Sequence, residues 1–537
     1  MLPFNGVKMP RWMAGREVLE SSYGTVDRTN IVQILDDVLP VFQSNQQQIN
    51  YLYWYRRGDQ PVRKRKKKVR ADIKNIIIEN HADEIVNFHV GYRFSEPVQY
   101  VRDADDEKGE SVSKAIGSLT KMLRTEGYDS QTIELADWIF LCGKGFRMAL
   151  PKEEDDRSGS AIDIGVLDPR FTDIVYSTRF GRKPLMSIQQ VLYFNENGVE
   201  CTRYECYTKD SFFVIEDSNI VSETPTVIGC IPIVEYRANS TLTGAFELAL
   251  PLLDAINNTT SNRVDGIEQF VQSFLKFVNV DINAEQYDKL KKEGAILVRS
   301  QNGLPADVSI VSSELNQEQT QTLQDHLYNM ALIVCNMPSR SGQGKSTSDT
   351  GSAVMLRDGW NEAESAAKKF DPLFESAERN FIKVVLREAG NAIDKNLSVG
   401  DIRIKSPRTK YDNLLVKTQA LQNLLQSHIN PLRAYEAVGL FADAEQVYTD
   451  SSELIEEGRR AEKAKAVKDL ADALSKLTGV EVSPEYAYAA VGLFDNPSKV
   501  AKDSIAFADE SFDREATQMS RMSGADVRTD RQDDTED

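Results

Sequence analysis

The chain has 537 residues, 41% of them hydrophobic, and a formal net charge of −18. This length supports several modules with real cores. The charge argues against a protein that coats nucleic acid through a broad basic face, because such binding rests on neutralising phosphates; a surface that nucleic acid passes without sticking stays open.

No apolar run approaches the ~18 residues needed to span a bilayer, and the start, MLPFNGVKMPRW, lacks the apolar core of a signal peptide. No membrane partner is therefore expected. Five scattered cysteines (Cys142, Cys201, Cys206, Cys230, Cys335) include one Cys-x4-Cys pair with no second pair for zinc. They read as reduced structural residues, as in a cytoplasm.

Residues 1 to 25 read as a loose arm. Helical periodicity over 30 to 57 (Ile31, Ile34, Leu35, Val38, Phe42) ends in an aromatic cluster and the turn Gly58-Asp59-Gln60-Pro61. The strongest basic cluster follows: Arg63, Lys64, Arg65, Lys66, Lys67 and Lys68. It reads as a solvated stretch, with contact to an acidic partner or to phosphate as the alternative. A helix is predicted over 73 to 90, a short strand at 97 to 101, and a helix over 113 to 144. From 145 to 240 short apolar runs alternate with turn residues, which predicts an antiparallel β region.

Long helical patterns cover 246 to 276 and 314 to 336, separated by a small strand–helix–strand–strand insertion at 277 to 313. Between the second of these and a helix at about 353 to 389 lies SRSGQGKSTSDTGS, residues 339 to 352, a wedge with no large apolar side chain. Pro372 lies inside the last pattern and predicts a kink near Asp371. Farther on, Pro431 to Phe441 reappears as Pro484 to Phe494, an internal repeat at an offset of 53 residues that predicts two helical hairpins. The acidic tail, 509 to 537, is predicted to be disordered.

The chemistry is sparse. Gly344-Lys345-Ser346 suggests a phosphate cradle, but the first glycine of Gly-x4-Gly-Lys-Ser/Thr would fall at position 339, which is Ser339. The segment also follows a helix rather than a strand. The histidines His81, His89, His326 and His428 have no metal-ligand spacing and read as surface or packing residues. No catalytic residue, metal site or cofactor is expected. The wedge reads as a flexible loop whose base is held by long helices.

The order of segments resembles the portal proteins of long-tailed, siphophage-type double-stranded DNA bacteriophages. The resemblance rests on Tyr55-Arg56-Arg57-Gly58-Asp59-Gln60-Pro61 and on Ile85 to Tyr100, where Val90-Gly91-Tyr92 precedes Pro97-Val98-Gln99-Tyr100 and Ser95 replaces a glycine of the pattern. It rests also on Leu167-Asp168-Pro169-Arg170 with Val175-Tyr176-Ser177. The third part is Ile231 to Tyr236, followed by Phe246-Glu247, Leu252 to Asn257 and Ser261-Asn262. It covers residues 50 to 390, and the region past 411 matches less closely.

The resemblance implies an α+β, mostly helical fold assembled as a ring, usually of twelve copies, at the capsid vertex through which DNA passes. It implies a wing (26–240), stem helices (246–276 and 314–337), a clip (277–313), a tunnel loop (338–352), a long helix joining wing and crown (353–394) and a crown (395–508). The tunnel loop would face DNA through Arg340, Gly342, Gly344, Lys345, Ser346 and Thr347. Implied partners are further copies of the chain, non-specific double-stranded DNA, the terminase packaging motor, a head-completion or adaptor protein, and the major capsid and scaffolding proteins. The implied location is the virion, with assembly in the host cytoplasm. Two other readings stay open: an NTPase of the packaging motor, and another capsid or scaffold component.

Overall fold

The computed structural model describes residues 14–67, 71–102, 110–152, 160–226, 229–271, 274–278, 285, 307–311, 317–338, 359–389, 393, 397–406, 414–427, 429–441, 444–478, 483–491 and 496–523. The chain divides into two compact units, Met1–Gln419 and Ala420–Asp537.

In chain order the first unit holds β1 (Leu19–Ser21), α1 (Ile31–Arg56), α2 (His81–Arg93), β2 (Gln99–Arg102), α3 (Glu110–Thr125), α4 (Tyr128–Cys142), β3 (Lys144–Pro151), β4 (Ile162–Leu167), β5 (Thr172–Ser177), β6 (Pro184–Phe194), β7 (Glu200–Tyr207), β8 (Ser211–Glu216), β9 (Asn219–Pro225), β10 (Ile233–Arg237), α5 (Leu250–Val271), β11 (Phe274–Val278), β12 (Asp307–Val311), α6 (Gln317–Val334), α7 (Trp360–Glu388) and β13 (Ile402–Lys405). The mixture is α+β. A six-stranded sheet has the order β1-β5-β6-β7-β8-β9 and a three-stranded sheet the order β10-β3-β4. All of their pairings are antiparallel except β1 with β5.

The apolar stripe of α1 covers the larger sheet. Ile31, Ile34, Leu35, Val38 and Phe42 meet Val175, Met186, Ile188, Cys206, Phe213 and Ile215 in one core. Each such side chain contributes about 1.5–3 kcal/mol when fully buried. A larger core joins α1, α2, α3, α4, α5, α6 and α7.

In the first unit the structure departs from the sequence reading at four places. The described part of the supposed loose arm, 14–25, is built into the fold: β1 pairs with β5, and the buried Arg16 side chain pairs with Glu247. The helix predicted over 73 to 90 begins only at His81, and residues 73–80 lie outside any helix. The helix predicted over 113 to 144 divides at Gly127, which adopts φ +71° between α3 and α4. The first unit also runs past 395, the expected start of the crown, because β13 pairs with β2. Of the predicted insertion, β11 and β12 are described and pair antiparallel; its middle lies outside the described residues.

The unit boundary falls within α8 (Leu414–Gln426). The second unit then holds α9 (Pro431–Val438), α10 (Ala444–Asp450), α11 (Ser452–Thr478), α12 (Pro484–Val491) and α13 (Pro497–Ser523). The repeat is visible here. Helices α9 and α12 are each eight residues long and begin at the repeated proline. The repeated alanines Ala434 and Ala487 are both fully buried. Helix α13 continues to Ser523, well into the stretch predicted to be disordered.

Candidate functional site

Of the predicted loop residues, Arg340, Gly342, Gly344, Lys345, Ser346 and Thr347 lie outside the described residues, as does Lys68. The points where the chain leaves and returns, Pro338 and Gly359, are described, and they define the site.

On the departing side α6 ends in a tight cap. Asn336 takes the left-handed conformation at φ +54°. Its N–H bonds to the Ile333 carbonyl at 3.1 Å, and the Met337 N–H reaches back to the Leu332 carbonyl at 2.9 Å. Asparagine tolerates this conformation, and the two bonds satisfy carbonyls that a helix end leaves open. Met337 and Cys335 are buried beside the cap.

Helix α2 holds this end in place. His89 Nε2 lies 2.9 Å from the Cys335 carbonyl oxygen. A carbonyl only accepts, so Nε2 carries the proton. Arg93 donates to His89 Nδ1, which fixes the same neutral tautomer. Burial and the Arg93 charge both push His89 down, to about 3.

Helix α2 also holds the returning side. Gly359 caps α7 with φ +81°. Trp360 packs on Phe88 and Tyr92, with ring centroids 6.2 and 5.9 Å apart. The Tyr92 hydroxyl donates to Glu364 at 2.9 Å. Four residues of one helix, Phe88, His89, Tyr92 and Arg93, thus clamp the described ends on either side of the 339–358 segment. A cleft of about 840 Å³ lies against the clamp, lined by His89, Arg93, Cys335, Asn361, Lys369 and Pro372 among others.

The far half of α7 is fixed differently. Pro372 sits inside a continuous helix. Six residues on, Glu378 is completely buried. Its Oε1 accepts from Tyr100 at 2.7 Å and Tyr128 at 2.8 Å, and its Oε2 accepts from Tyr236 at 2.7 Å. The Arg147 guanidinium lies 3.6 Å from Oε2 and 4.3 Å from the Tyr128 ring centroid. Burial and the nearby carboxylate hold Tyr100 and Tyr236 well above the ordinary phenol range. The network anchors α7 to β2, α4, β3 and β10.

The basic cluster divides. Arg65 donates to Asp265 at 2.6 Å and to Asn262 at 2.5 Å, and Lys67 reaches Asp265 at 3.2 Å. Arg63 donates to the Gly58 carbonyl at 2.7 Å, while Arg63, Lys64 and Lys66 are exposed. Arg65 and Lys67 start a longer seam along α5. The N–H groups of Asn75, Ile77 and Glu79 bond to side chains of Asp265 (2.7 Å), Ser261 (3.0 Å) and Asn257 (2.8 Å). Two extended residues advance ~6.6 Å and four helical residues ~6 Å, so alternate amides of a strand match every fourth side chain of a helix.

The seam ends at His81. Its Nδ1 lies 2.7 Å from Glu84 and its Nε2 3.1 Å from Glu79. Both partners only accept, so both nitrogens carry protons. Against the cost of burial, the bonds to Glu79 and Glu84 push His81 up to about 9. Sequence reasoning named none of the clamp residues as a site. The aromatic pair Phe88 and Tyr92, four residues apart, was the available signal. His89 had none, since its partner lies 246 residues away.

Among the described residues, no group of three or more His, Cys, Asp or Glu could hold a metal, and no helix is long and apolar enough to cross a membrane. Comparison with known families gives one match: the family described as "Phage portal protein, SPP1 Gp6-like" covers residues 36–435, about three quarters of the chain. A search of curated proteins found no match. Similar solved structures include "Virion of native gene transfer agent (GTA) particle", with TM-score 0.42 and 12% identity over 67% of this chain and 89% of that one. Another is "Neck of empty GTA particle computed with C6 symmetry", with TM-score 0.41 and 12% identity over 67% of this chain and 90% of that one.

Proposed function

The chain belongs to the SPP1 Gp6-like family of phage portal proteins, and from that premise we propose that copies of it close into a ring, of twelve in the usual case, and form the channel through which DNA enters and leaves the capsid. In this reading α5 and α6 are stem helices, the β11–β12 region is the clip that meets the packaging motor and later the adaptor, and the repeat-bearing helices form the crown. The 338–352 segment is the tunnel loop, with Arg340 and Lys345 turned toward DNA. The protein acts by shape and contact, not by catalysis.

The observation that carries this reading is the clamp. A loop that works against moving DNA needs a base that does not give way, and here α2 holds both ends, through His89 on one side and Trp360 on the other. The charge balance also favours sliding. Each phosphate that a wall neutralises adds affinity and salt dependence, and the chain carries 82 acidic against 64 basic residues.

Two experiments test the proposal. Negative-stain images of the purified full chain should show rings with a central hole; compact monomers at every concentration would overturn it. Deleting Gly342 to Thr350 should leave ring assembly intact and reduce DNA packaging or retention. Normal packaging by that variant would remove the tunnel-loop assignment while leaving the ring.

A further inference from the structure

The cleft beside the clamp has an open apolar wall. Of its lining residues, Leu248 is 62% exposed, Val334 40% and Leu373 38%. They come from three places: the short turn before α5, the end of α6 and the middle of α7. Phe140 and Phe370, which also line it, are buried. At about 840 Å³ the cleft falls within the ~300–1,000 Å³ range of sites that enclose a bound body.

One segment of the chain starts at its lip. The Gly15 N–H donates to Glu247 at 3.1 Å, and the Arg16 N–H donates to the Thr241 carbonyl at 3.2 Å. The fit is close, since a Cβ on Gly15 would overlap the Thr241 carbonyl oxygen. Thr241 lines the cleft, as does Gly244, whose N–H also bonds to Glu247, at 2.9 Å. From Arg16 onward the chain turns to residues that do not line the cleft. The Glu17 N–H bonds to Asn45, and β1 then runs beside β5. The chain before Gly15 therefore starts at the cleft mouth.

Residues 1–13 lie outside the described residues, and their composition suits the open wall. The sequence MLPFNGVKMPRWM holds Leu2, Phe4, Val7, Met9, Trp12 and Met13, and no acidic residue. Trp12 precedes Gly15 by three residues, a reach of about 10 Å in extended chain. The exposed charges lining the cleft are one of each sign, Glu362 and Lys369. Apolar burial rather than charge therefore selects the occupant.

We propose that the apolar segment before Ala14, led by Trp12, docks in this cleft of its own chain, over Leu248, Val334 and Leu373. The segment then braces the end of α6 and the first half of α7, the same two elements that α2 clamps. The docking rests on the position of Gly15 and does not depend on the channel reading.

The test is made on the full chain. Trp12→Cys is combined with Leu248→Cys and, for comparison, with Phe180→Cys, a fully exposed position on the turn after β5. A short bis-maleimide is applied, single variants give the background from native cysteines, and linked peptides are measured by mass spectrometry. The Leu248 pair should give several-fold more product within one chain than the Phe180 pair. Equal yields overturn the docking, and product found mainly between chains overturns the same-chain assignment. A second measurement leaves the cleft residues unaltered. Amide hydrogen exchange over residues 239–248 should be several-fold faster in Trp12→Ser than in wild type. Unchanged exchange there overturns the docking even where cross-links form.

Discussion

Two kinds of residue carry specific consequences. Glu378 is the acceptor for three tyrosines and sits beside Arg147 with no exposure to water. Removing one member of a buried charged pair strands the other, so Glu378→Ala should destabilise the first unit by about 3–5 kcal/mol. Tyr236→Phe, which removes one hydrogen bond to a charged group, should cost about 1.5–3 kcal/mol. Chemical denaturation of the two variants checks the order. The two clamped histidines of α2 predict opposite pH slopes. His81, raised to about 9 from an ordinary 6.5, contributes stability that is complete below about 6.5 and is lost as pH rises through 9. His89, lowered to about 3, is neutral in the fold, so its contribution is complete above about 6.5 and is lost as pH falls toward 3. Thermal midpoints across pH 4 to 10 should therefore fall on both sides of about pH 6.5. His81→Gln should flatten the alkaline limb and His89→Gln the acid limb; unchanged limbs would contradict the assigned protonation states.

At the scale of elements, the non-helical segment 73–80 lies along α5 because of side-chain spacing, and its own sequence resembles a helix. Ile73, Ile76, Ile77 and Ile85 fit a helical period, which is why the sequence reads as one helix from 73. What decides against it is the row Asn257, Ser261 and Asp265, which offers acceptors to alternate backbone amides. Asp265→Ala also removes one partner each from Arg65, Lys67 and Asn75, which keep bonds to Asn262, the Ile73 carbonyl and Glu268. Each lost hydrogen bond to the carboxylate should cost about 1.5–3 kcal/mol at most. The substitution should also raise protease sensitivity between 63 and 80 before the rest of the unit unfolds. Unchanged cleavage there would show that the seam is not what holds the segment. Helix α7 illustrates the opposite case. Its apolar stripe was legible through Pro372, and Ala363, Ala367, Phe370, Phe374, Ala377 and Phe381 are buried as that stripe requires.

For the whole molecule, the formal charge of −18 disfavours tight binding to phosphate. The full chain should therefore retain short duplex DNA weakly at physiological salt, with a shallow dependence of affinity on salt. Tight binding with a slope reflecting many phosphate contacts would contradict a low-adhesion wall, whatever the ring looks like.

The sequence by itself determined the α+β composition, the long helices, the β region between 145 and 240, the 53-residue repeat and the family. Each of these rests on local periodicity or on ordered short motifs, which neighbouring residues carry without help. Only the tertiary structure decided that 14–25 is part of the fold, that 73–80 is not helical, and that Arg65 and Lys67 turn inward to Asp265. It alone also gave the buried carboxylate at Glu378 and the clamp of α2 on both ends of the 339–358 segment. These depend on partners from 142 to 278 residues apart, as between Tyr236 or Tyr100 and Glu378 or between His89 and Cys335. A hydrogen bond across that distance leaves no periodic trace in either segment, so no reading of one segment alone could have supplied it.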